Sequence, residues 1–433
     1  METSSSLPRN ARGEGPDGLV TPSRPVTVVG AGIVGVSCAL YLQRDGHAVT
    51  VLDPAGPGEG ASKSNAGFLS SGSCVPISTP GILRRVPKML LDPLAPLAIR
   101  WTYLPTLTPW LIRFVQAGSP ARVEAISVAL ARLLELAPKS YAALTTGNAA
   151  SRYVHSGGVL YTYETDGSFA GARPALELRR RRGIDFDIVH GAELHRLEPA
   201  LAPSIKHGVF FPKTMFCSDP RGLVRALAED FTSRGGQLIR DEVTTVEVDA
   251  QGPRWLHTRG GRRDVDALVI AAGAWSRPLV ERVAGRVPLE TERGYVAVLP
   301  RPGVIPRIPL LSGDYSFAIT PTEEGLRLAG TVELAGLRAP PNYARARRLV
   351  EAARRVLGEV NPDGATYSMG FRPSMPDSLP VLARSPRYKS VFLAFGHGHL
   401  GLTLGPVTGQ IIADMVGERC PPLDVAPFRV DRF

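Results

Sequence analysis

A chain of 433 residues with 44% hydrophobic and 21% charged content suits a soluble globular protein of about two domains, large enough to bury a sizeable core. The formal net charge of +10 favours anionic partners. The arginine tracts at 179–182 and 345–348 carry no interleaved aromatics, however, which argues against nucleic acid. The four cysteines include no C-x-x-C, so neither a metal site nor a dithiol motif is expected.

Residues 1–24 are polar and lack the apolar core of a secretory signal, so they read as a flexible N-terminal segment. The strand Val26–Val29 then runs into Gly30-Ala-Gly32-Ile33-Val34-Gly35, followed by a helical run and a second strand ending on Asp53. This is the spacing of a dinucleotide-binding βαβ unit. Gly30 would allow the tight turn, Gly32 the close approach of a pyrophosphate, and Gly35 the packing of helix on strand. Asp53 would accept hydrogen bonds from a ribose. A Gly/Ser-rich segment follows, with Ser62, Asn65, Ala66 and Gly67 able to lie against a ligand.

The apolar stretch from Met89 to Val115 is broken by Pro93, Pro96, Pro105 and Pro109, which argues against a spanning helix. A helix is predicted from Pro120 to Leu144 and another from Arg221 to Arg234, capped by Asp219. Strands are predicted at 157–163 and 209–212, one or two at 237–248, and one at 265–273 that runs into Ala272, Gly273 and Trp275. A strand-rich block covers 287–334, and a helix 342–357. Near the C-terminus the strand Ser390–Phe395 passes through Gly396-His397-Gly398-His399-Leu400-Gly401-Leu402-Thr403 into a helix. Strand–glycine–helix units thus flank strand-rich material. The fold expected is α/β: a Rossmann-like cofactor domain, discontinuous in sequence, with an inserted antiparallel β-rich α+β domain.

Four glycine-rich elements in this order, with Gly370-Phe371-Arg372-Pro373, resemble the FAD-dependent D-amino acid oxidase superfamily. The dehydrogenase branch, which includes D-hydroxyproline dehydrogenase, is the nearest pattern. The resemblance implies non-covalent FAD, because Ser64 stands where related enzymes attach the flavin through histidine. Gly30, Gly32, Ile33, Val34, Gly35 and Asp53 would hold its ADP half. Ser62, Asn65, Ala66, Gly67, Ala272, Gly273 and Trp275 would line the cofactor. Gly396, His397, Gly398, Leu400, Gly401, Leu402 and Thr403 would approach the flavin.

Arg372 would grip the substrate carboxylate, since a planar guanidinium pairs with a carboxylate through two parallel bonds. Tyr295 would assist it, with Tyr315 and His399 as further substrate-side residues and Glu333 and Met369 as weaker candidates. The implied reaction oxidises the Cα–N bond of a D-amino acid or cyclic imino acid such as D-proline or hydroxyproline. Electrons would pass to a quinone or another carrier, with oxygen as the alternative acceptor. Glycine, sarcosine or N-methyl amino acids are alternative substrates. If the amine reacts in its neutral form no protein general base is required, which fits the absence of an obvious His/Asp or Ser/His constellation. Two other classes remain: a nicotinamide-dependent dehydrogenase and a non-catalytic FAD-binding subunit. Residues 80–115 would either touch a membrane or pack over the active site, and a cytoplasmic protein, peripheral at the inner membrane face, fits these features. The cofactor domain is expected over 25–95, 206–285 and 368–433. The substrate domain is expected over 96–205 and 286–367.

Overall fold

The computed structural model describes residues 24–82 and 97–433. Two sheets organise them. The first has six strands in the order Gln237–Ile239, Val49–Leu52, Val26–Val29, Ala267–Ile270, Val391–Phe395, Val381–Arg384. All neighbours are parallel except the last pair. The central strand Ala267–Ile270 is buried at every position, as expected of a parallel strand covered on both faces. Asp53 and Ala271–Gly273 leave the same carboxyl edge of this sheet, where open α/β folds bind ligands.

One face of the sheet is covered by two helices from opposite ends of the chain. Ile33–Arg44 and Gly401–Val416 approach so closely that a Cβ on Gly409 would lie 2.6 Å from the Ser37 carbonyl. Pro120–Thr145 packs beside them, Tyr141 donating from its hydroxyl to the Leu402 carbonyl. Pro220–Ser233 completes the layer, its first turn capped by Asp219 accepting from the Arg221 N–H at 3.0 Å.

The second sheet has nine strands among the described residues. Their order is Thr366–Ser374, Glu290–Leu299, Gly325–Leu334, Phe317–Thr322, Leu310–Ser312, Val159–Tyr163, His207–Phe211, Asp187–His190, with Leu97–Ile99 pairing beside Gly325–Leu334. The helix Ala344–Leu357 packs its apolar side on this sheet.

Three expected domain boundaries shift. His207–Phe211 and Thr366–Ser374 join the nine-stranded sheet, because their ladder partners are Val159–Tyr163 and Glu290–Val298. The helix Pro120–Thr145 packs in the cofactor half, where Leu130, Leu133 and Leu134 meet Leu404 and Val407. The segment 237–248, expected as one or two strands, forms two, Gln237–Ile239 and Val243–Val248, which belong to different sheets. Most of the expected N-terminal flexible segment lies outside the described residues, as does 83–96 of the apolar stretch.

Candidate active site

Between the two sheets runs a cavity of about 1280 Å³. Asp53, at the edge of the six-stranded sheet, lines it, and so does Arg372 from the nine-stranded sheet.

Gly30 turns the chain at the Asp53 end. Its φ of +109° lies in the region that favours glycine, and a Cβ there would stand 2.4 Å from the Ala271 oxygen. Gly35 is needed for the same turn, since its Cβ would lie 1.8 Å from the Gly30 oxygen. Gly32, Ile33 and Val34 line the cavity and present the amino end of a helix to it. Ser62 accepts from the Ile33 N–H at 3.2 Å. Asp53 lines the cavity and organises the loop, accepting from the amides of Ala31 at 2.9 Å and of Ala55 and Gly56 at 2.8 Å each.

The middle of the cavity is built by three segments. Asn65 closes a turn by accepting from the Gly67 N–H at 2.8 Å. Thr403 ties the C-terminal turn to the segment after it, accepting from the Ser70 N–H at 3.1 Å and donating to the Phe68 carbonyl at 3.3 Å. Ser62, Asn65, Ala66, Ala272, Gly273, Trp275, His397, Gly398, Leu400, Gly401, Leu402 and Thr403 all line the space. His397 is buried, its Nε2 2.9 Å from Thr408 Oγ1, and burial pulls its pKa down to about 3. It is therefore neutral. Ser64 also lines the cavity, and its buried hydroxyl has no partner among the described residues.

At the far end Arg372 lies over Gly294, where a Cβ would stand 2.1 Å from its Nη2. Its Nη1 donates to the Thr331 carbonyl at 2.8 Å. Glu292 sits opposite Arg372 in the strand register and 2.7 Å from His399 Nε2. All three side chains belong to cavity-lining residues. Burial pushes the Glu292 carboxyl upward, but His399 and Arg372 outweigh it and hold the group below the usual carboxylate range. Burial lowers the Arg372 pKa from its usual value, and the Glu292 charge opposes this. The helix Leu104–Ala117 closes one wall with Trp110, Leu111, Phe114 and Val115.

Several expected residues lie elsewhere. Tyr295 is corrected: it is fully buried away from the cavity, donating to Glu333 at 2.6 Å and accepting from the Asn342 N–H at 2.8 Å. The two-residue period of a strand explains this, because Glu292 and Gly294 face the cavity while Arg293 and Tyr295 face away. Glu333 is their partner there, and Met369 pairs with Tyr295 in the register. Tyr315 is likewise outside the cavity lining and donates to Glu164 at 2.8 Å. Gly35, Gly67 and Gly396 shape the backbone without lining the space. A Cβ on Gly67 would lie 2.6 Å from the Cys217 oxygen, and one on Gly396 would lie 2.6 Å from Met375 Cγ. The Glu292–His399 pair is a His–carboxylate contact that the sequence does not make obvious. The two residues stand 107 positions apart, so no local motif joins them.

A family model described as FAD dependent oxidoreductase (DAO) matches residues 25–415. The chain belongs to the DAO family of FAD-dependent oxidoreductases. Among DAO-family relatives, it is 37% identical to a D-amino-acid oxidase of Bradyrhizobium diazoefficiens, over 95% of this chain and 99% of that one. It is 32% identical to a D-amino acid dehydrogenase of Paramagnetospirillum magneticum, over 94% and 98%. Its fold resembles glycine oxidase from Bacillus cereus, with TM-score 0.71, 20% identity and 94% and 99% coverage. It also resembles L-proline dehydrogenase from P. horikoshii, with TM-score 0.70, 18% identity and 95% and 98% coverage.

The DAO-family match sets the nicotinamide alternative aside. The residues present fit FAD: a helix amino end, the Asp53 carboxylate and the orphaned Ser64 hydroxyl all lie along one cavity. No cluster of metal-ligating side chains occurs among the described residues.

Proposed function

We propose that this protein oxidises the Cα–N bond of a D-amino acid or a cyclic imino acid such as D-proline or hydroxyproline. The observation that carries the reading is the Arg372 guanidinium, seated in the gap left by Gly294 and lining the same cavity as the dinucleotide-type turn. Bound FAD supplies the two-electron acceptor for the Cα–H bond.

Gly30, Gly32, Ile33, Val34 and Asp53 would hold the ADP half, with Gly35 keeping the turn in shape. Ser62, Asn65, Ala66, Ala272, Gly273 and Trp275 would flank the cofactor, and Gly67 would fix the bend beside them. The Gly398–Thr403 turn would bring a helix amino end toward the flavin, where developing negative charge is stabilised. Arg372 fixes the substrate carboxylate and hence the direction of the Cα–H bond. The imine released would hydrolyse to a 2-oxo acid and ammonium, or remain cyclic. Attachment of FAD is non-covalent in this reading, supported by Ser64 at the attachment slot and by the absence of cysteine from the cavity lining.

Electrons would pass to a quinone or partner carrier. Peripheral membrane contact is supported by Trp101, 67% exposed just before the cavity-wall helix, and Ile112, 55% exposed within it. Among the described residues no helix is long and apolar enough to cross a membrane. A second reading, oxidation by molecular oxygen, is favoured by the 37% identical relative named an oxidase.

The test is anaerobic. The purified yellow protein is mixed with D- and L-amino acids, and bleaching of the flavin absorbance is followed. Bleaching by D-amino acids is expected, and its loss in Arg372→Ala with flavin retained. Unchanged bleaching in that variant would favour a different anchor, and no bleaching by any amino acid would favour a non-catalytic subunit. Stoichiometric hydrogen peroxide in air would select the oxygen reading over the quinone one. Flotation with anionic vesicles, lost in a Trp101→Ser/Ile112→Ser protein, would support membrane contact.

A further inference from the structure

In the proposed function the Glu292 and His399 side chains are given no contact with the carboxylate or FAD, yet both residues line the cavity beside Arg372. Glu292 is nearly closed to solvent, its side chain 5% exposed, while His399 is 42% exposed. A buried carboxylate is costly to ionise unless paired, so its placement next to the carboxylate anchor calls for a role. The 2.7 Å contact joins Glu292 Oε2 to His399 Nε2. In the neutral form of the imidazole, a carboxylate at that position holds the proton on Nε2 and leaves Nδ1 as an acceptor. Among the described residues, Nδ1 has no hydrogen-bond partner in the chain.

An amino acid bound as its zwitterion presents a difficulty for the reaction. Its carboxylate can pair with Arg372, but its ammonium nitrogen has no lone pair to form the C=N bond. We propose that His399, oriented by Glu292, accepts the proton of the substrate's ammonium group. This rests on the reading of Arg372 as the carboxylate anchor. The N–H bond breaks and a bond to Nδ1 forms. The Cα–H bond would then break, its hydrogen leaving with both electrons as a hydride to the acceptor that bound FAD would supply, and the nitrogen lone pair would close the C=N bond to give an iminium product. The proton on His399 leaves to solvent through the exposed side of the ring. Glu292 acts through His399 and is a positioning residue.

The charged and titratable groups around His399 fit this cycle. Glu292 is held as an anion and Arg372 is a cation across the strand pair. His397, two residues earlier, is neutral and engaged with Thr408. Glu290, two residues before Glu292, is already accepting from the Tyr103 hydroxyl and the Thr291 amide.

The experiment is rapid-mixing flavin reduction without oxygen, from pH about 6.5 to about 10, in wild type, His399→Gln and Glu292→Gln. Near pH 7 the His399→Gln rate should fall about 10²-fold, and the deficit should close near pH 10, where the amine is neutral without help. Glu292→Gln should shift the same profile toward higher pH. A fall by one factor at every pH, or no fall at pH 7, overturns the proposal. The FAD absorbance band and the melting temperature show whether each variant is folded. His399→Gln decides the matter alone if Glu292→Gln is not, because the ring is half-exposed. If no amino acid reduces the wild-type flavin at any pH, it is the amino acid reading that fails rather than the assignment of the proton.

Discussion

Arg372 and Gly294 compete for one volume: the guanidinium fills the place a side chain on the neighbouring strand would take. Any Cβ at 294 must push the cation out of position. Gly294→Ala is therefore expected to lower kcat/KM by about 10²-fold, the effect of a displacement near 1 Å at a reacting centre. FAD content should stay unchanged, and steady-state kinetics with an absorbance spectrum checks both.

Gly30→Ala acts at the other end of the cavity. It combines a left-handed backbone, which costs about 1–2 kcal/mol for a residue with a Cβ, with a contact to the Ala271 oxygen that would be 2.4 Å. The variant should lose FAD on gel filtration and melt several degrees lower. Retention of flavin at wild-type affinity would show that the turn can relax.

Tyr295→Phe separates the observed position from the one its motif implied. The variant loses hydrogen bonds to Glu333 and Asn342, an effect of about 1–3 kcal/mol when buried partners are left unpaired. Chemical denaturation should show that loss, while KM and kcat at optimal stability remain at wild-type values. A large rise in KM would place the phenol in the substrate site after all.

Acid should destabilise the protein partly through His397. In the unfolded chain an imidazole titrates near about 6.5, whereas burial holds this one near about 3. Between those values the unfolded state carries the extra proton, so the contribution is complete above the upper value and is lost as pH falls toward the lower. Urea unfolding of wild type and His397→Asn at several pH values checks this. The variant should show a shallower fall in stability between about pH 6 and 4.

The cofactor end of the site was legible because its chemistry is local. A strand, three glycines, a helix and an acid occur within about thirty residues, and Gly30 and Gly35 each answer to a nearby backbone oxygen. The substrate end is assembled across strands, and sequence neighbours there point to opposite sides of the sheet. That is why Arg293-Gly294-Tyr295 suggested the tyrosine, when the residue that matters for Arg372 is the glycine. Glu292 was invisible for the same reason, since its partner arrives on a turn 107 positions later. The domain boundaries erred where a strand's membership depends on its ladder partner rather than its own residues. The proline-broken stretch still yielded a helix, Leu104–Ala117: Pro105 sits in its first turn, where no intrahelical N–H bond is lost, and Pro109 lies inside it at the cost of one such bond.

The interlocked helices Ile33–Arg44 and Gly401–Val416 impose an order on biosynthesis. The first emerges from the ribosome with its apolar side bare, and its covering partner is translated only after nearly everything between them. Until then the inner strand Ala267–Ile270 also lacks its neighbour Val391–Phe395. The nascent protein thus displays sticky surface for most of its synthesis, the situation that recruits chaperones. FAD capture becomes a post-translational event, and vitamin shortage would leave a pool of completed but unloaded chains rather than stalled fragments.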